Sequence, residues 1–298
     1  MTNASDTPRR EIAFLGIGSM GLPMATRLCA AGHAPQVWNR TPGKADPLAA
    51  LGATVHQQAG TAVHQADMVV SMLENGAAVE EVLFAQGVAA AMRPGALFID
   101  MSSIKPREAR DHAARLGALG IAHLDAPVSG GIIGAEQGTL VIMVGGKAAE
   151  FELARPLLQV FGRPTHVGSH GAGQLTKLAN QMIVGITIGA VAEALLFAAK
   201  GGADMAKVKE AITGGFADSR VLQMHGQRMV DRDFVTQARF ALQHKDMGNA
   251  LATAKEIGFE APITALFEQL YADGMKHGLS DLDHSGLFVE LASRNGMS

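Results

Sequence analysis

Six residues near the start of the chain, Gly16-Ile17-Gly18-Ser19-Met20-Gly21, restrict the fold more than any other feature of the 298-residue sequence. Ahead of them lies Ile12-Ala13-Phe14-Leu15, an apolar run that reads as a buried parallel strand. Behind them lies Leu22-Pro23-Met24-Ala25-Thr26-Arg27-Leu28, with apolar residues at helical spacing. A G-x-G-x-x-G turn between strand and helix is the signature of a pyrophosphate cradle. The first glycine permits the tight turn, the second lets the backbone approach the ligand, and the third allows helix to pack on strand. The helix N-terminus then offers oriented N–H groups to the anion. A glycine turn with only a structural role is the alternative, and the strand–turn–helix context favours the dinucleotide.

The rest of the chain divides in two. Short apolar runs at 12–16, Pro35–Trp38, Met68–Met72, Leu97–Asp100, His123–Leu124, Leu140–Val144 and Thr165–Val167 alternate with helical stretches near 20–31, 42–51, 78–91, 106–119 and 147–161. That alternation predicts a doubly wound, largely parallel sheet. Beyond Gly173 only helical patterns remain, at 174–200, 204–214, 219–230, 244–257, 262–276 and 281–295. The expected fold is α/β, an N-terminal Rossmann-like sheet followed by an all-α C-terminal domain. Residues 1–10 are expected to be a flexible N-terminus, 11–172 the dinucleotide-binding domain, and 173–298 a helical domain for substrate and oligomerisation. The chain also exceeds the usual size of one domain.

Charge and composition exclude several functions. A net charge of −3 gives no electrostatic reason to expect nucleic acid or an anionic membrane surface. The single cysteine, Cys29, forms no internal disulfide and reads as a small core residue. Met1 to Arg10 is polar and lacks the apolar core of a signal peptide, so a cytoplasmic location is expected. Between Lys177 and Lys200 the only charge is Glu193, and a membrane span needs about 20 apolar residues. Gly185, Thr187, Gly189 and Glu193 interrupt this run, which favours a helix buried between domains or subunits. The eleven histidines show no metal-ligand spacing, so no metal is expected. His284, between Asp283 and Ser285, reads as part of a helix start.

The cofactor and its chemistry can be read further along. The second strand, Pro35–Trp38, runs into Asn39-Arg40-Thr41, with no acid to take a ribose 2′-hydroxyl. A guanidinium there suits a 2′-phosphate, which inclines the reading to NADP over NAD. Arg40 stacking on adenine would be compatible with either. Val69–Glu74, Asp100–Ser103 and Asp125–Gly131 each follow a predicted strand, where open α/β sheets bind ligands; each could also be a turn built from Ser and Gly. In Gly171–Gln181, Lys177 opens a long apolar helix, with Asn180 and Gln181 three and four residues on and so on the same face. A lysine in apolar surroundings is costly unless paired or used, although lysines also snorkel to water. Lys245-Asp246 supplies a second lysine near the start of another helix.

Taken in order, Gly16–Gly21, Met72-Leu73, Asp100-Met101-Ser102-Ser103, Asp125–Gly131, Gly171–Asn180 and Lys245-Asp246 resemble the β-hydroxyacid dehydrogenase family, from Ile12 to about Arg294. Within it the likeness is greatest to the branch acting on tartronate semialdehyde, on Asp100–Ile104, Leu124–Gly131, Lys177–Gln181 and Asp283–Ser285. The resemblance implies an NAD(P)-dependent oxidoreductase that reversibly reduces a small semialdehyde acid to a hydroxy acid, with Lys177 as general acid and base. It implies that Ser129, Gly130 and Gly131 hold the substrate carboxylate, with Asn180 and Gln181 beside it. Leu73, Ser103 and Lys245 would line the cofactor near the nicotinamide. Gly16, Gly18, Ser19, Met20, Gly21, Asn39, Arg40, Thr41, Met72 and Glu74 complete the expected cofactor set. Two departures stand out: Gln181 where many members carry asparagine, and Glu74 where proline is usual. Methylmalonate semialdehyde, succinic semialdehyde and glyoxylate remain alternative substrates, and an imine reductase or a non-catalytic dinucleotide-binding module are the rival functions. The apolar, glycine-bearing face of 182–199 suggests closely paired helices, hence a homodimer or homotetramer.

Overall fold

The computed structural model describes residues 10–297. By its internal contacts the chain forms two compact units that divide after Lys177.

In the first unit the strands are Ile12–Leu15 (β1), Gln36–Trp38 (β2), Thr54–His56 (β3), Met68–Ser71 (β4), Leu97–Asp100 (β5), Ala122–Asp125 (β6), Val128–Ser129 (β7), Leu140–Gly145 (β8) and Gly162–Gly168 (β9). The helices between them are Gly21–Ala30 (α1), Asp46–Ala49 (α2), Ala59–Val63 (α3), Gly76–Glu80 (α4), Val88–Ala91 (α5), Pro106–Ala118 (α6), Gly131–Gln137 (α7) and Ala148–Phe161 (α8). The sheet runs β3-β2-β1-β4-β5-β6-β8-β7, with β9 beside β8. From β3 to β6 every pairing is parallel; Phe14, for example, lies opposite Val37 on one side and Val70 on the other. β8 meets β6 and β7 antiparallel, and β9 parallel. All four residues of β1, of β4 and of β5 are buried, as expected where helices cover both faces of a sheet. Alternate side chains feed two cores: Phe14 joins Met24, Leu28 and Phe161, whereas Leu15 joins Val79, Leu83 and Phe98. The chain reverses direction across the sheet between β2 and β4, on either side of β1. Loops leaving β1 and β4 therefore part there and open the crevice where such sheets bind ligands.

Several local expectations change. The helix expected over 78–91 is three pieces: α4, a π-helical turn Glu81–Ala85, and α5, which follows Gly87 in the left-handed region at φ 73°. The Asn75 side chain starts α4 earlier than the apolar pattern indicates, by accepting from Ala78 N–H at 2.9 Å. β3, α3, β7 and α7 are additions, each seven residues or fewer.

The helix Ala172–Lys200 (α9) begins in the first unit and continues through the second, which adds Met205–Ile212 (α10), Arg220–Asp231 (α11), Phe240–Glu256 (α12), Pro262–Lys276 (α13), a 3₁₀ turn His284–Gly286 and Leu287–Arg294 (α14). α9 is long and apolar enough to cross a membrane by length and composition alone. Its Ile188, Ala192, Leu195 and Leu196 nevertheless pack with Met229, Phe240, Tyr271 and Phe288 in the second unit's own core. Gly185 and Gly189 face inward as well. A Cβ on Gly185 would press on Gln243 and Met247, and one on Gly189 on Phe267 and Leu287. The glycines thus serve packing within the chain, which removes the basis for reading them as a contact between subunits. The helix expected over 281–295 is the 3₁₀ turn followed by α14, because the Asp283 carboxylate caps Ser285 N–H and tightens the first turn.

Candidate active site

The glycine turn is held by backbone bonds and one amide. Gly16 N–H donates to Trp38 C=O at 2.9 Å, and Ile17 N–H to the Asn39 Oδ1 at 2.9 Å. Asn39 Nδ2 donates in turn to Thr41 C=O at 2.9 Å. Gly16, at φ 100°, has no room for a side chain, since a Cβ would strike the Met72 carbonyl and Leu73; a Cβ on Gly21 would strike the Gly16 carbonyl. Gly18 differs, because a Cβ there would meet nothing within 4 Å. Its missing side chain leaves open space at the mouth of α1. That helix has no side-chain cap on Met20 and no acid in its first turn, so its leading N–H groups and dipole are available to an anion. The cradle fits a pyrophosphate on these grounds. Asn39 acts here through the turn it braces, while Arg40 and Thr41 stand exposed at the end of β2.

The neighbouring strand ends are tied to this turn. Met72 N–H donates to Leu15 C=O, and Leu73 N–H to the Ser102 hydroxyl, both at 2.9 Å. Met72, Leu73 and Ser103 are half-buried and Glu74 is exposed. Beneath them the fully buried Asp100 accepts from the Ser71 hydroxyl at 2.8 Å and from Ser102 N–H at 3.0 Å through the same oxygen. Its other oxygen is buried with no hydrogen-bond partner, and burial pushes its carboxyl above the usual carboxylate range. His123, buried against Phe98 with neither ring nitrogen hydrogen-bonded, is driven down to about 3 by desolvation first and by His170 and His112 second. It is a neutral ring at any working pH.

Ser129 ends β7, and Gly130 and Gly131 follow at φ 137° and 64° at the start of α7. Both glycines are exposed, and a Cβ on Gly131 would meet nothing within 4 Å. Positive φ at two successive residues leaves backbone N–H groups open to an anionic group.

Lys177 lies in the second turn of α9 and is only 8 % exposed. One turn ahead of it, Gln174 is wholly buried and fixed at both ends: Ile104 N–H donates to its Oε1 at 3.1 Å, and its Nε2 donates to Ser102 C=O at 2.8 Å. The Asp125 carboxylate, from the end of β6, accepts from Gly171 N–H at 2.8 Å with one oxygen and from Gln174 N–H at 2.9 Å with the other. Burial pushes this carboxyl up to about 6, against those two bonds. Neither Asp125 nor Gln174 is among the expected site residues, and no local signal gives them these roles, because their partners lie 46 to 72 residues away.

In the second unit the residues expected at the substrate form a polar bridge between helices. Gln181 Nε2 donates to Gln243 Oε1 at 3.0 Å and to Asp246 Oδ2 at 2.9 Å. Gln243 Nε2 returns to Gln181 C=O at 3.0 Å, and Asn180 Nδ2 donates to Gln181 Oε1 at 2.9 Å. Lys245 lies 3.3 Å from the other Asp246 oxygen. The unusual glutamine thus spans α9 to α12 and holds Asp246, the partner of Lys245. His225, Asp283 and His284 bring ligand-type atoms within 4.8 Å of one another, a convergence that spacing along the chain does not reveal. Asp283, however, already accepts from Gln237 N–H, Ala238 N–H, Ser285 N–H and the Ser285 hydroxyl, and the Arg228 guanidinium stands 3.8 Å away. A spent carboxylate beside a fixed cation makes this a structural knot.

A doubly wound sheet with this cradle at its switch point defines an NAD(P)-binding oxidoreductase domain. Residues 11–172 match the NAD-binding domain of 6-phosphogluconate dehydrogenase, and residues 171–291 match the NAD-binding domain of NADP-dependent 3-hydroxyisobutyrate dehydrogenase. The chain is 45 % identical to 2-hydroxy-3-oxopropionate reductase of Escherichia coli K12, over 94 % of this chain and 97 % of that one. It is 37 % identical to 3-hydroxyisobutyrate dehydrogenase of Pseudomonas aeruginosa, over 93 % and 95 %. The solved structure of Mycobacterium tuberculosis 3-hydroxyisobutyrate dehydrogenase with L-serine superposes at a TM-score of 0.87 and 35 % identity, over 95 % of this chain and 99 % of that one. The chain belongs to the 3-hydroxyisobutyrate dehydrogenase family of NAD(P)-dependent β-hydroxyacid dehydrogenases.

Proposed function

We propose that the protein reversibly reduces 2-hydroxy-3-oxopropionate (tartronate semialdehyde) to glycerate, with NADPH as the preferred reductant. The observation that carries this reading is Lys177, an ammonium held 8 % exposed on a helix whose first turn is anchored in the sheet. Burial of that kind is expensive for an ammonium, and Lys177 stands near the start of a helix that leaves the end of the sheet. The 45 % identical relative that bears this activity in its name supports the choice of substrate.

The nicotinamide, when bound, supplies the hydride. Negative charge then develops on the aldehyde oxygen, where Lys177 Nζ donates a hydrogen bond and then its proton; in the oxidative direction the neutral amine takes the proton back. Gly130 and Gly131, with the Ser129 hydroxyl, hold the substrate carboxylate through N–H and O–H donors. Asn180 offers a further amide. Gln181, Asp246 and Lys245 brace the helical side, and Arg40 with Thr41 recognises the 2′-phosphate. Residues 11–172 bind the dinucleotide in this reading, and 173–298 serve the substrate and self-assembly. A second reading, oxidation of 3-hydroxyisobutyrate, is supported by the 37 % identical Pseudomonas relative.

Absorbance of NADPH and NADH followed with tartronate semialdehyde, methylmalonate semialdehyde, succinic semialdehyde, glyoxylate and an imine separates these readings. Tartronate semialdehyde with NADPH should give the highest kcat/KM. Lys177→Ala should lower kcat by about 10²–10⁴-fold with cofactor affinity kept. Turnover at the unsubstituted rate in that variant would reject the assignment.

A further inference from the structure

We propose that Asp125 is the positioning residue for Lys177: its buried carboxylate, reaching from the end of β6, grips the backbone of the first turn of α9 and fixes where the lysine ammonium stands. The inference rests on Lys177 being the proton donor.

A helix begins with N–H groups that have no partner within it, and these are normally met by a nearby Ser, Thr, Asp or Asn. α9 starts Ala172-Gly173-Gln174-Leu175 and has no such residue or acid in its first turn. The need is met from 46 and 49 residues away, with one carboxylate oxygen on Gly171 N–H and the other on Gln174 N–H. A second strut comes from the loop after β5, through both ends of the Gln174 amide. The turn is therefore tied to two adjacent parallel strands of a buried sheet.

The fit leaves no slack. A Cβ on Gly145 would lie 2.6 Å from Asp125 Oδ1 and 2.7 Å from Gly173 N, and one on Gly173 would lie 2.5 Å from Asp125 C=O. Glycine at both positions lets the β8 backbone and the helix close on the carboxylate. The charge itself is costly, since burial pushes the carboxyl up to about 6. An asparagine would occupy the same volume without that cost, but its NH₂ would face an N–H donor. Only a carboxylate accepts with both atoms and also opposes the positive end of the helix dipole. Gln174 precedes Lys177 by three residues, about 4.5 Å along the axis and on the same face, so a shift of the turn is passed to the lysine. Misplacement of a reacting group by about 1 Å can cost about 10²-fold in rate.

The test is Asp125→Asn beside Lys177→Ala. His170 in the turn before α9, His123 on β6, Arg110 near Gly171 on α6 and Glu150 near His170 on α8 surround this knot and are present in both enzymes, so the comparison isolates Asp125. In the unsubstituted enzyme, saturated kcat should fall below about pH 6, because a protonated carboxyl cannot accept from both N–H groups. Asp125→Asn should keep its NADPH Kd within about twofold, lose about tenfold or more in kcat, and show no titration of kcat between about pH 5 and 7. An unchanged kcat with its acid limb intact would overturn the proposal. So would a parallel loss of NADPH binding, which would make Asp125 a support for the whole domain. Full turnover by Lys177→Ala would instead overturn the assignment of Lys177, whatever Asp125 does. Should Asp125→Asn fail to fold, hydrogen exchange at Gly171 and Gln174 in the unsubstituted enzyme serves: deprotection and the fall in kcat should share a midpoint, and a kcat flat through that deprotection overturns the proposal.

Discussion

Gly16 and Gly18 stand two residues apart in one turn, and a methyl group added to each should act on different properties. At Gly16 the left-handed backbone and the Met72 carbonyl both oppose a side chain. We expect Gly16→Ala to destabilise the fold by about 2–4 kcal/mol, seen as a lowered midpoint in denaturant unfolding. At Gly18 the added methyl enters open space, so Gly18→Ala should leave stability within about 0.5 kcal/mol of the original. Its effect should appear in fluorescence titration, as a loss of about tenfold or more in dinucleotide affinity, because the pyrophosphate must approach the backbone there. Arg40 provides the matching test of cofactor choice. Arg40→Ala should weaken NADPH by about 10–100-fold, the worth of about 1.5–3 kcal/mol in charged hydrogen bonds, and leave NADH nearly unchanged. Asp125 carries a pH prediction of its own. Its folded value, about 6, lies above the unfolded value of about 3.9, so its contribution is fully present below about pH 4 and is lost as pH rises through 6. Relative to Asp125→Asn, the unsubstituted protein should therefore be more stable at pH 4 than at pH 7.5. The gap should be about 3 kcal/mol, from paired unfolding curves at the two pH values.

At the scale of helices and strands, the bridge from α9 to α12 can be measured directly. Gln181→Leu, Gln243→Leu and the double variant form a cycle: the Gln181 amide donates to Gln243 Oε1 at 3.0 Å, and Gln243 Nε2 donates to the Gln181 backbone carbonyl at 3.0 Å. A coupling of about 1–3 kcal/mol is expected, and strict additivity would show that the two residues act independently. The elements that sequence made legible share one property: their signal is local. β1, β4 and β5 read clearly because each is a fully buried four-residue run, and the glycine turn because its six residues are contiguous. β3 and α3 escaped because Thr54-Val55-His56 is only partly buried and Ala59–Val63 carries little apolar periodicity. β7 and α7 escaped because the Asp125–Gly131 segment has the composition of a turn. The site divides in the same way. The cradle was marked by its contiguous residues and Lys177 by the family resemblance, whereas the contacts of Asp125, Gln174 and Gln243 depend on partners 46 to 72 residues away. Gln181 was noticed as a departure, but its purpose lies on α12.

For the molecule as a whole, large exposed apolar side chains, rather than the inward-facing glycines, are the candidates for a contact between subunits. Ile183 and Phe197 on α9 are 67 % and 81 % exposed, and Ile263 and Leu266 on α13 are 60 % exposed each. Exposed apolar area of this kind commonly marks an interaction surface. We expect light scattering to find a homodimer or homotetramer, and Phe197→Asp to reduce the particle mass; a monodisperse monomer before substitution would refute this. The course of α9 has a consequence for recombination between relatives. The boundary between compact units falls within an unbroken helix, so a crossover there would join half-helices of different parentage and disturb the register that carries Lys177, Asn180 and Gln181. The natural seam is the short stretch between β9 and α9, at 169–171. On the proposed roles, chimeras joined at that seam should take the dinucleotide cradle and the Ser129–Gly131 loop from one parent, and Lys177 with the helical side of the site from the other. Their success would turn on whether the aspartate of the first parent finds the helix start of the second.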